Sequence, residues 1–329
     1  MKYSYYPGCS LERNAAAYNV STLATAAPLG LELAELDDWN CCGATEYISL
    51  NLTASFALIA RNLAIASKEK GRAGLVAPCS ACYLNLRKCD KYMAESSKLS
   101  GKVNTALAEG GLAYKPGTVK VRHLLDVIVN DIGYDAVASK VTRLLSGLKV
   151  APYYGCMIVR PEFNGEGSSF DDPEQPVTLD RLLKALGAEV VPFPMKAQCC
   201  GGHMTQISDS SAFDMIRRLI KGAADNGADT IVTLCPMCQL NLDAYQGGMN
   251  AHYKTDYKMP VLYFTQLMGL AFGMDASRLG FGSELVDARP ALAKIGVETP
   301  PPPEPPKKSK RDDKSLPMPK MIAETAIHA

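Results

Sequence analysis

Hydrophobic positions along the chain form short runs typical of buried strands, and these alternate with longer segments of helical spacing. In the first half, alternation over Leu31 to Leu36 predicts one strand, and the apolar run Gly74 to Ala77 predicts a short buried one. The aromatic run Tyr3 to Tyr6 predicts a third strand. Predicted helices cover about residues 12–29, 46–70 and 82–97. Strands alternating with helices indicate α/β units and a mainly parallel sheet.

The same order of elements returns in the second half. Predicted strands lie near residues 150–154, 189–191 and 230–234, with helices over 177–186 and 208–222. Even the closing segments correspond, His123 to Ile128 in one half and Phe264 to Met268 in the other. The repeat predicts two pseudo-symmetric, Rossmann-like α/β domains, 1–147 and 148–280, followed by an extension over 281–329.

The composition of the chain changes after about residue 297. Residues 300–306 contain six prolines, and residues 307–314 carry five basic side chains against two acidic ones. Such a Pro/Lys-rich segment cannot build a packed core, so a disordered C-terminal tail is predicted. We interpret it as a solvated tail; the alternative is a docking role for residues 318–327.

Composition and charge exclude several classes of protein. The chain has 329 residues, is 47% hydrophobic and 21% charged, and has a net charge of +1. This balance gives no support for a nucleic-acid partner. No segment is apolar enough for a membrane span or a signal peptide, so we expect a cytoplasmic protein that reaches a membrane only through partner subunits. Thiols are kept reduced in that compartment, which indicates metal binding or catalysis in preference to disulfides.

Ten of the eleven cysteines fall into one pattern that occurs twice. Each copy has a single cysteine, then Cys-Cys-Gly, then Cys-x-x-Cys, and each group follows a predicted strand. The first copy is Cys9, Cys41, Cys42, Cys79 and Cys82, and the second is Cys156, Cys199, Cys200, Cys235 and Cys238. Open α/β sheets bind ligands at the carboxyl ends of their strands, so each set is expected to converge on one site.

The number of thiols restricts what each site holds. Thiolates favour zinc, copper(I) and iron–sulfur clusters. Five cysteines are one too many for tetrahedral zinc. A cubane [4Fe–4S] cluster takes four, so five indicate either one spectator or a cluster of another shape.

The cysteine strings resemble the tandem CCG domains of the heterodisulfide reductase B subunit family over roughly residues 1–275. The matching strings include Tyr6-Pro7-Gly8-Cys9-Ser10, Asp38-Trp39-Asn40-Cys41-Cys42-Gly43-Ala44, Ala77-Pro78-Cys79-Ser80-Ala81-Cys82 and Leu234-Cys235-Pro236-Met237-Cys238-Gln239-Leu240-Asn241. The spacer from Cys156 to Cys199 is longer than that from Cys9 to Cys41, yet no ligand position is lost.

The resemblance implies that each half binds a non-cubane [4Fe–4S] cluster through all five of its cysteines. It also implies that the two clusters face each other, with a disulfide substrate between them. Cleaving a disulfide takes two electrons, and two one-electron centres would supply one each. The implied partners are an HdrC-like ferredoxin-type subunit, an HdrA-like flavin subunit and a small-molecule or carrier-bound disulfide or thiol.

Two alternatives of other classes stay open at this stage. CCG domains also occur in electron-transfer subunits of lactate, glycolate, succinate or quinone-linked oxidoreductases, where no disulfide is cleaved. A structural zinc module is the second alternative. The sequence does not separate disulfide reduction from pure electron transfer.

Few other residues are candidates for chemistry. His203, which follows Cys199-Cys200-Gly201-Gly202, is a candidate proton donor to a leaving thiolate, against the alternative of a loop histidine without a catalytic part. Cys89 lies outside both copies and is expected to be a small buried side chain. The tyrosines beside the first cysteines, Tyr6 and Tyr153 among them, fit either cluster shielding or core packing.

Overall fold

A computed structural model describes residues 1–43, 47–160 and 171–297 of the chain. The first half contains strands β1 Lys2–Tyr5, β2 Glu32–Glu35, β3 Leu75–Ala77 and β4 Val121–His123. Its helices are α1 Ala16–Ala26, α2 Tyr47–Leu50, α3 Leu52–Ala66, α4 Ser80–Glu95, α5 Ser97–Ala108, α6 Leu124–Asp126 and α7 Tyr134–Ala138. A 3-10 turn, Ala27–Leu29, extends α1, and a π-helix, Val127–Ile132, follows α6.

The second half follows the same plan. Its strands are β5 Lys149–Tyr153, β6 Glu189–Val190, β7 Thr230–Thr233 and β8 Val261–Tyr263. Its helices are α8 Thr178–Ala185, α9 Asp209–Asp225, α10 Pro236–Ala244, α11 Gln246–Tyr253, α12 Phe264–Ala271 and α13 Arg289–Leu292, with 3-10 turns at Gly202–Gln206 and Ala276–Leu279.

Each half of the described chain builds one four-stranded parallel sheet. The strand orders are β2-β1-β3-β4 and β6-β5-β7-β8, so the two sheets have the same topology. The registers also correspond, with Ala77 opposite His123 in one sheet and Thr233 opposite Tyr263 in the other. The predicted α/β class with parallel sheets and a twofold repeat is confirmed.

The predicted long helix over 46–70 is wrong in one respect, because it is divided at Asn51. The Asn51 side chain accepts a hydrogen bond from the amide of Ala54 at 3.0 Å and so caps α3. Asparagine competes with helical hydrogen bonds and favours caps, which accounts for the division. Residue 46 lies outside the described residues.

The segment that begins at His123 combines three kinds of secondary structure. His123 ends β4 and caps α6, and residues 127–132 are wound as a π-helix.

Farther along, residues 276–297 are described, whereas the predicted disordered tail lies outside the described residues. Contacts group Met1–Val297 into one compact unit. The division at 147 and 280 stays a prediction.

The two halves pack through helices α1 and α12. The rings of Tyr18 and Tyr263 stack with centroids 4.4 Å apart, and the hydroxyls of Ser21 and Thr265 lie 2.6 Å apart. All four side chains are buried, so this contact is part of the core. No helix in the described ranges has the length and apolar character needed to cross a membrane.

Candidate metal centres

Three strand ends deliver the five cysteines of the first copy. Cys9 follows β1, Cys41 and Cys42 follow β2, and Cys79 and Cys82 follow β3. Because the strands are parallel, their carboxyl ends meet at one edge of the sheet, where open α/β sheets bind ligands. The sequence-based expectation that these groups converge therefore agrees with the structure.

The thiols of this first site contact one another. The Sγ atoms of Cys9 and Cys41 lie 3.7 Å apart, and Cys42 donates to Cys82 Sγ at 3.3 Å. The Cys79 and Cys82 thiols also interact, since each shifts the pKa of the other. Disulfide sulfurs lie about 2.05 Å apart, so these sulfurs are in contact without forming disulfides.

The second copy builds a site with the same partners. Cys200 donates to Cys238 Sγ at 3.6 Å. The Cys156 thiol interacts with that of Cys199, and the Cys235 thiol with that of Cys238, because each of these pairs shifts the pKa of its members. Cys9 and Cys41 are exposed, whereas their counterparts in the second site are half-buried. The first site is therefore the more accessible of the two from solvent.

The two sites meet in the interior. The thiols of Cys79 and Cys235, one from each half, interact across the interface, and the interaction raises the pKa of Cys79 and lowers that of Cys235. Next to them, the Tyr18 hydroxyl lies 3.2 Å from the carbonyl oxygens of both Pro78 and Leu234. These carbonyls precede Cys79 and Cys235, so one buried hydroxyl contacts the cysteine loops of both halves.

A tyrosine supports the Cys-Cys turn in each site. The Tyr6 hydroxyl donates to the carbonyl of Asn40 at 2.7 Å, and the Tyr153 hydroxyl donates to that of Gln198 at 2.8 Å. Both accepting residues directly precede a Cys-Cys pair. The sequence singled out these tyrosines as shielding or packing residues and missed the hydrogen bond, although each stands three residues before the first cysteine of its copy.

An asparagine holds the same turn from the other side, and sequence reasoning missed its role. Asn85 donates to the carbonyl of Cys42 at 3.1 Å. Asn241 donates to the carbonyls of Gly202 at 2.7 Å and Cys200 at 3.4 Å, and lies 3.7 Å from Cys200 Sγ. Each asparagine is buried and stands three residues after its Cys-x-x-Cys, so the repeated position was the available signal.

Glycine is required immediately before the first cysteine of each copy. Gly8 has φ +74° and Gly155 has φ +68°, in the left-handed region that favours glycine. A Cβ atom would lie 2.9 Å from Cys82 Sγ at Gly8 and 3.0 Å from Cys238 Sγ at Gly155. A side chain at either position would therefore push on the neighbouring sulfur, in addition to the strain of the positive φ.

The electrostatics of both sites favour bound cations. Hydrogen bonds with Cys42 and Cys79, together with burial, raise the pKa of Cys82, and bonds with Cys200 and Cys235, together with burial, raise the pKa of Cys238. A thiol that binds a metal must lose its proton, and several thiolates in one buried site need positive charge nearby. The donor set thus fits an iron–sulfur group, which supplies that charge.

Across the three described ranges, no group of three or more His, Cys, Asp or Glu side chains is arranged to hold a single metal ion. In each half, the neighbouring thiols form an extended set contributed by three strand ends.

The remaining candidate residues lie in distinct environments. His203 is half-buried in the 3-10 turn Gly202–Gln206, directly after the second Cys-Cys-Gly, and its role as a proton donor stays a prediction. Cys89 is fully buried on α4, with its sulfur 3.7 Å from Met93 Sδ and 3.6 Å from the carbonyl of Phe56. Its environment is that of a small core side chain, as expected.

A cavity of about 530 Å³ opens beside the exposed cysteines of the first site. Cys9 and Cys41 line it together with Trp39, and four of its other lining residues are carboxylates, Glu12, Glu35, Asp37 and Asp38. The Asp38 carboxylate pairs with Arg61, while Glu35 accepts from the Trp39 indole at 3.0 Å. This negative wall disfavours an anionic ligand in the cavity.

Comparison with known proteins finds a cysteine-rich family that matches both halves of the chain. The family described as "CCG: Cysteine-rich domain" matches residues 3–87 and 150–243. A fumarate reductase protein of Wolinella succinogenes, the 8-methylmenaquinol:fumarate reductase membrane anchor subunit, is 37% identical over 87% of this chain and 98% of its own length.

Archaeal relatives carry heterodisulfide reductase names. The B subunit of the ferredoxin/F420H2-dependent CoB-CoM heterodisulfide reductase of Methanosarcina acetivorans is 30% identical over 89% of this chain and 97% of its own. A protein of Archaeoglobus profundus, named as similar to the heterodisulfide reductase B subunit, is also 30% identical, over 85% of this chain and 93% of its own.

A solved structure shares the fold. The crystal structure of a hypothetical protein from Helicobacter pylori superposes with a TM-score of 0.69 at 14% identity, covering 87% of this chain and 52% of that one. The two family matches include all ten repeated cysteines. The chain therefore belongs to the family of heterodisulfide reductase B subunits and related proteins with two CCG domains.

Proposed function

We propose that this protein is the iron–sulfur subunit of a reductase complex and holds two non-cubane [4Fe–4S] clusters through its ten repeated cysteines. It reduces a disulfide where the two cysteine sites meet, or oxidises two thiols in the reverse direction. The observation that carries the proposal is that the two five-cysteine sites meet in one interior, where the Tyr18 hydroxyl contacts the loops before both Cys79 and Cys235 and these two thiols shift each other's pKa. A bond that needs two electrons is then served by two adjacent one-electron centres.

The reaction balances without any other oxidant. A disulfide takes up two electrons and two protons and becomes two thiols, and the electrons come from partner subunits. When bound, each cluster supplies one-electron reduction. The protein fixes the cysteine loops through Tyr6, Tyr153, Asn85 and Asn241, which restricts where sulfur ligands stand. His203, beside the second Cys-Cys turn, is proposed to deliver a proton to a leaving thiolate.

The proposed partners are an HdrC-like ferredoxin-type subunit and, beyond it, an HdrA-like flavin subunit. Exposure of Cys9 and Cys41 supports electron entry at the first site, because a carrier can approach it from solvent. The four carboxylates beside them would attract a carrier with a basic surface. We propose a cytoplasmic location, with any membrane contact made through the partners.

A second candidate function is electron transfer in a quinone-linked or dicarboxylate-linked complex without disulfide cleavage. The relative from Wolinella succinogenes favours it, because that protein belongs to a menaquinol:fumarate reductase and is 37% identical over 98% of its length. The same two clusters would then pass electrons along the complex. This candidate needs no proton donor near the second site.

Steady-state assays of the anaerobically purified complex separate the two candidates. A reduced dye is supplied as electron donor, and a small disulfide, the coenzyme M–coenzyme B disulfide, fumarate or a menaquinone analogue as acceptor. Disulfide-dependent dye oxidation that falls in His203→Gln supports the proposed function. Turnover of fumarate or quinone, with reduced centres that no disulfide reoxidises, supports electron transfer instead.

A further inference from the structure

A buried histidine lies where the two cysteine sites meet. His123 ends β4 in the first half, and its side chain is fully buried. The carbonyls of Pro78 and Leu234 lie near its ring, and the charged or ionisable groups that act on it are Cys235, the residue after Leu234 in the other half, and Asp126 of its own half. The ring packs edge-on against Tyr83, with centroids 5.8 Å apart, which fixes its plane.

One ring nitrogen of His123, Nδ1, has a hydrogen-bond partner, and the other, Nε2, has none among the described residues. His123 Nδ1 accepts a hydrogen bond from the amide of Leu125 at 3.1 Å, so the proton of the neutral ring is on Nε2. Burial lowers the pKa of His123 to about 4, which keeps the ring neutral. Nε2 makes no well-formed hydrogen bond in the described part of the chain, and the nearby carbonyls are contacted by Tyr18.

An unsatisfied buried N–H is costly, so a native structure that retains one usually has a use for it. The equivalent position of the second half does not repeat the feature. Register places Tyr263 opposite Thr233 as His123 stands opposite Ala77. Tyr263 stacks on Tyr18 and its hydroxyl lies 3.3 Å from Gln239 Oε1, so its polar atom is satisfied.

We propose that His123 Nε2–H is a hydrogen-bond donor to the sulfur of Cys235, or to the cluster that Cys235 holds, and that it makes the two centres inequivalent. His123 is thus a positioning residue that the first half contributes to the second site. The inference rests on the proposed function, because it requires both clusters. Hydrogen bonds to cluster sulfurs raise the reduction potential, so the second centre would have the higher potential.

The first test measures nitrogen coupling in the wild-type complex. The chain has four histidines, so growth with ¹⁵N-histidine labels few sites. Pulsed electron paramagnetic resonance should detect a weak ¹⁵N coupling on the signal of one centre. The coupling should vanish in His123→Gln and persist in His203→Gln. Two centres without such a coupling, or a coupling lost only in His203→Gln, would overturn the inference while leaving the proposed function standing.

The second test measures potentials in a matched pair of variants. His123→Gln can place its amide N–H near the position of Nε2. His123→Asn keeps an acceptor for the Leu125 amide near the position of Nδ1, but its shorter side chain places no donor at the position of Nε2. One of the two reduction waves should shift to lower potential in His123→Asn and stay near its wild-type place in His123→Gln. Waves that are unchanged in both variants, or that shift together, would count against the inference.

If His123→Asn loses its iron, its reduction potentials cannot be measured. The ¹⁵N coupling experiment and the reduction potentials of His123→Gln then test the inference. A wild-type protein with fewer than two centres would overturn the proposed function, and this inference with it.

Discussion

Single residues set how closely the backbone approaches the thiols. Gly8 and Gly155 both have positive φ, and each leaves less than a normal contact distance between a notional Cβ and a cysteine sulfur. The strings Gly8-Cys9 and Gly155-Cys156 are therefore spatial requirements of the two sites. A glycine with positive φ but open surroundings, Gly227, provides a comparison within the same chain.

Alanine at these glycines should separate backbone strain from crowding of the site. Gly227→Ala should lower the free energy of unfolding by about 1 kcal/mol, the cost of the left-handed conformation, with iron content unchanged. Gly8→Ala and Gly155→Ala carry the same cost and also push on Cys82 and Cys238, so iron per chain should fall. Iron analysis and denaturant unfolding measure both effects. Full iron content in Gly8→Ala would contradict this account of the site.

Cys89 should behave unlike the ten repeated cysteines. Cys89→Ala should leave iron content and the spectra of the centres unchanged, because the hydrogen-bond partners of its sulfur are Phe56 and Met93, away from both sites. A loss of iron comparable to that of Cys82→Ala would make it a ligand instead.

The pH dependence of stability supplies a second check on Cys89. Burial raises the pKa of Cys89 to about 12, whereas an unfolded thiol ionises near 8.5. The folded state therefore keeps a proton that the unfolded chain loses, and this stabilisation is lost as pH rises from about 9 to 12. Wild-type stability should fall by up to about 1.4 kcal/mol per pH unit more than that of Cys89→Ala. Parallel curves in denaturant unfolding would exclude the raised pKa.

At the scale of elements, one strand–turn–helix plan builds both sites. A tyrosine at or just after the end of the central strand and an asparagine on the helix after Cys-x-x-Cys bind the turn that carries the Cys-Cys pair. These side chains help to fix the position of the turn. The second-half asparagine also reaches a cysteine sulfur.

Removing the asparagine amide should loosen the Cys-Cys turn. Asn241→Ala leaves the carbonyl of Gly202 unpaired and should cost about 1–3 kcal/mol in stability. It should also speed release of iron to a chelator. Asn104 makes comparable bonds to the carbonyls of Ser100 and Tyr114 away from the sites, so Asn104→Ala should lose stability without faster release. Equal release rates in the two variants would assign Asn241 a general structural role.

The sequence predicted the elements better than the contacts between them. Strand ends, the parallel sheets and the convergence of three cysteine groups follow from local pattern and repeat. The division of the helix at Asn51 depends on one hydrogen bond, in which the Asn51 side chain accepts from the amide of Ala54 and caps α3. The bonds of Tyr6 and Asn85 join residues far apart in the chain, and periodicity carries no information on such pairs.

At the scale of the whole molecule, the repeat brings two sites into contact. Tyr18 belongs to α1 of the first half, yet its hydroxyl lies equally far from the carbonyls before Cys79 and Cys235. The stack on Tyr263 holds the ring in place across the interface. Neither feature was visible in the sequence, because it depends on how two similar halves pack.

Tyr18→Phe should weaken the spin–spin interaction between the two centres without loss of iron. The ring and its stack remain, while the hydroxyl contact with both loops is lost. We expect a stability loss of about 1 kcal/mol, unchanged iron content and a weaker spin–spin interaction between the reduced centres. Ser21→Ala removes a hydroxyl from the same interface but not from the loops, so its spin–spin interaction should match the wild type. If Tyr18→Phe and the wild type have the same spin–spin interaction, the Tyr18 hydroxyl does not affect how the two centres interact.

The central claim is that both halves carry a cluster, and the most direct measurement is iron and acid-labile sulfide analysis of anaerobically purified protein, combined with electron paramagnetic resonance. Two [4Fe–4S] clusters predict about eight iron atoms and about eight sulfides per chain, with two cluster signals. Cys79→Ser and Cys235→Ser should each reduce the signal of one centre. About four iron atoms per chain, or bound zinc in place of iron, would contradict the account.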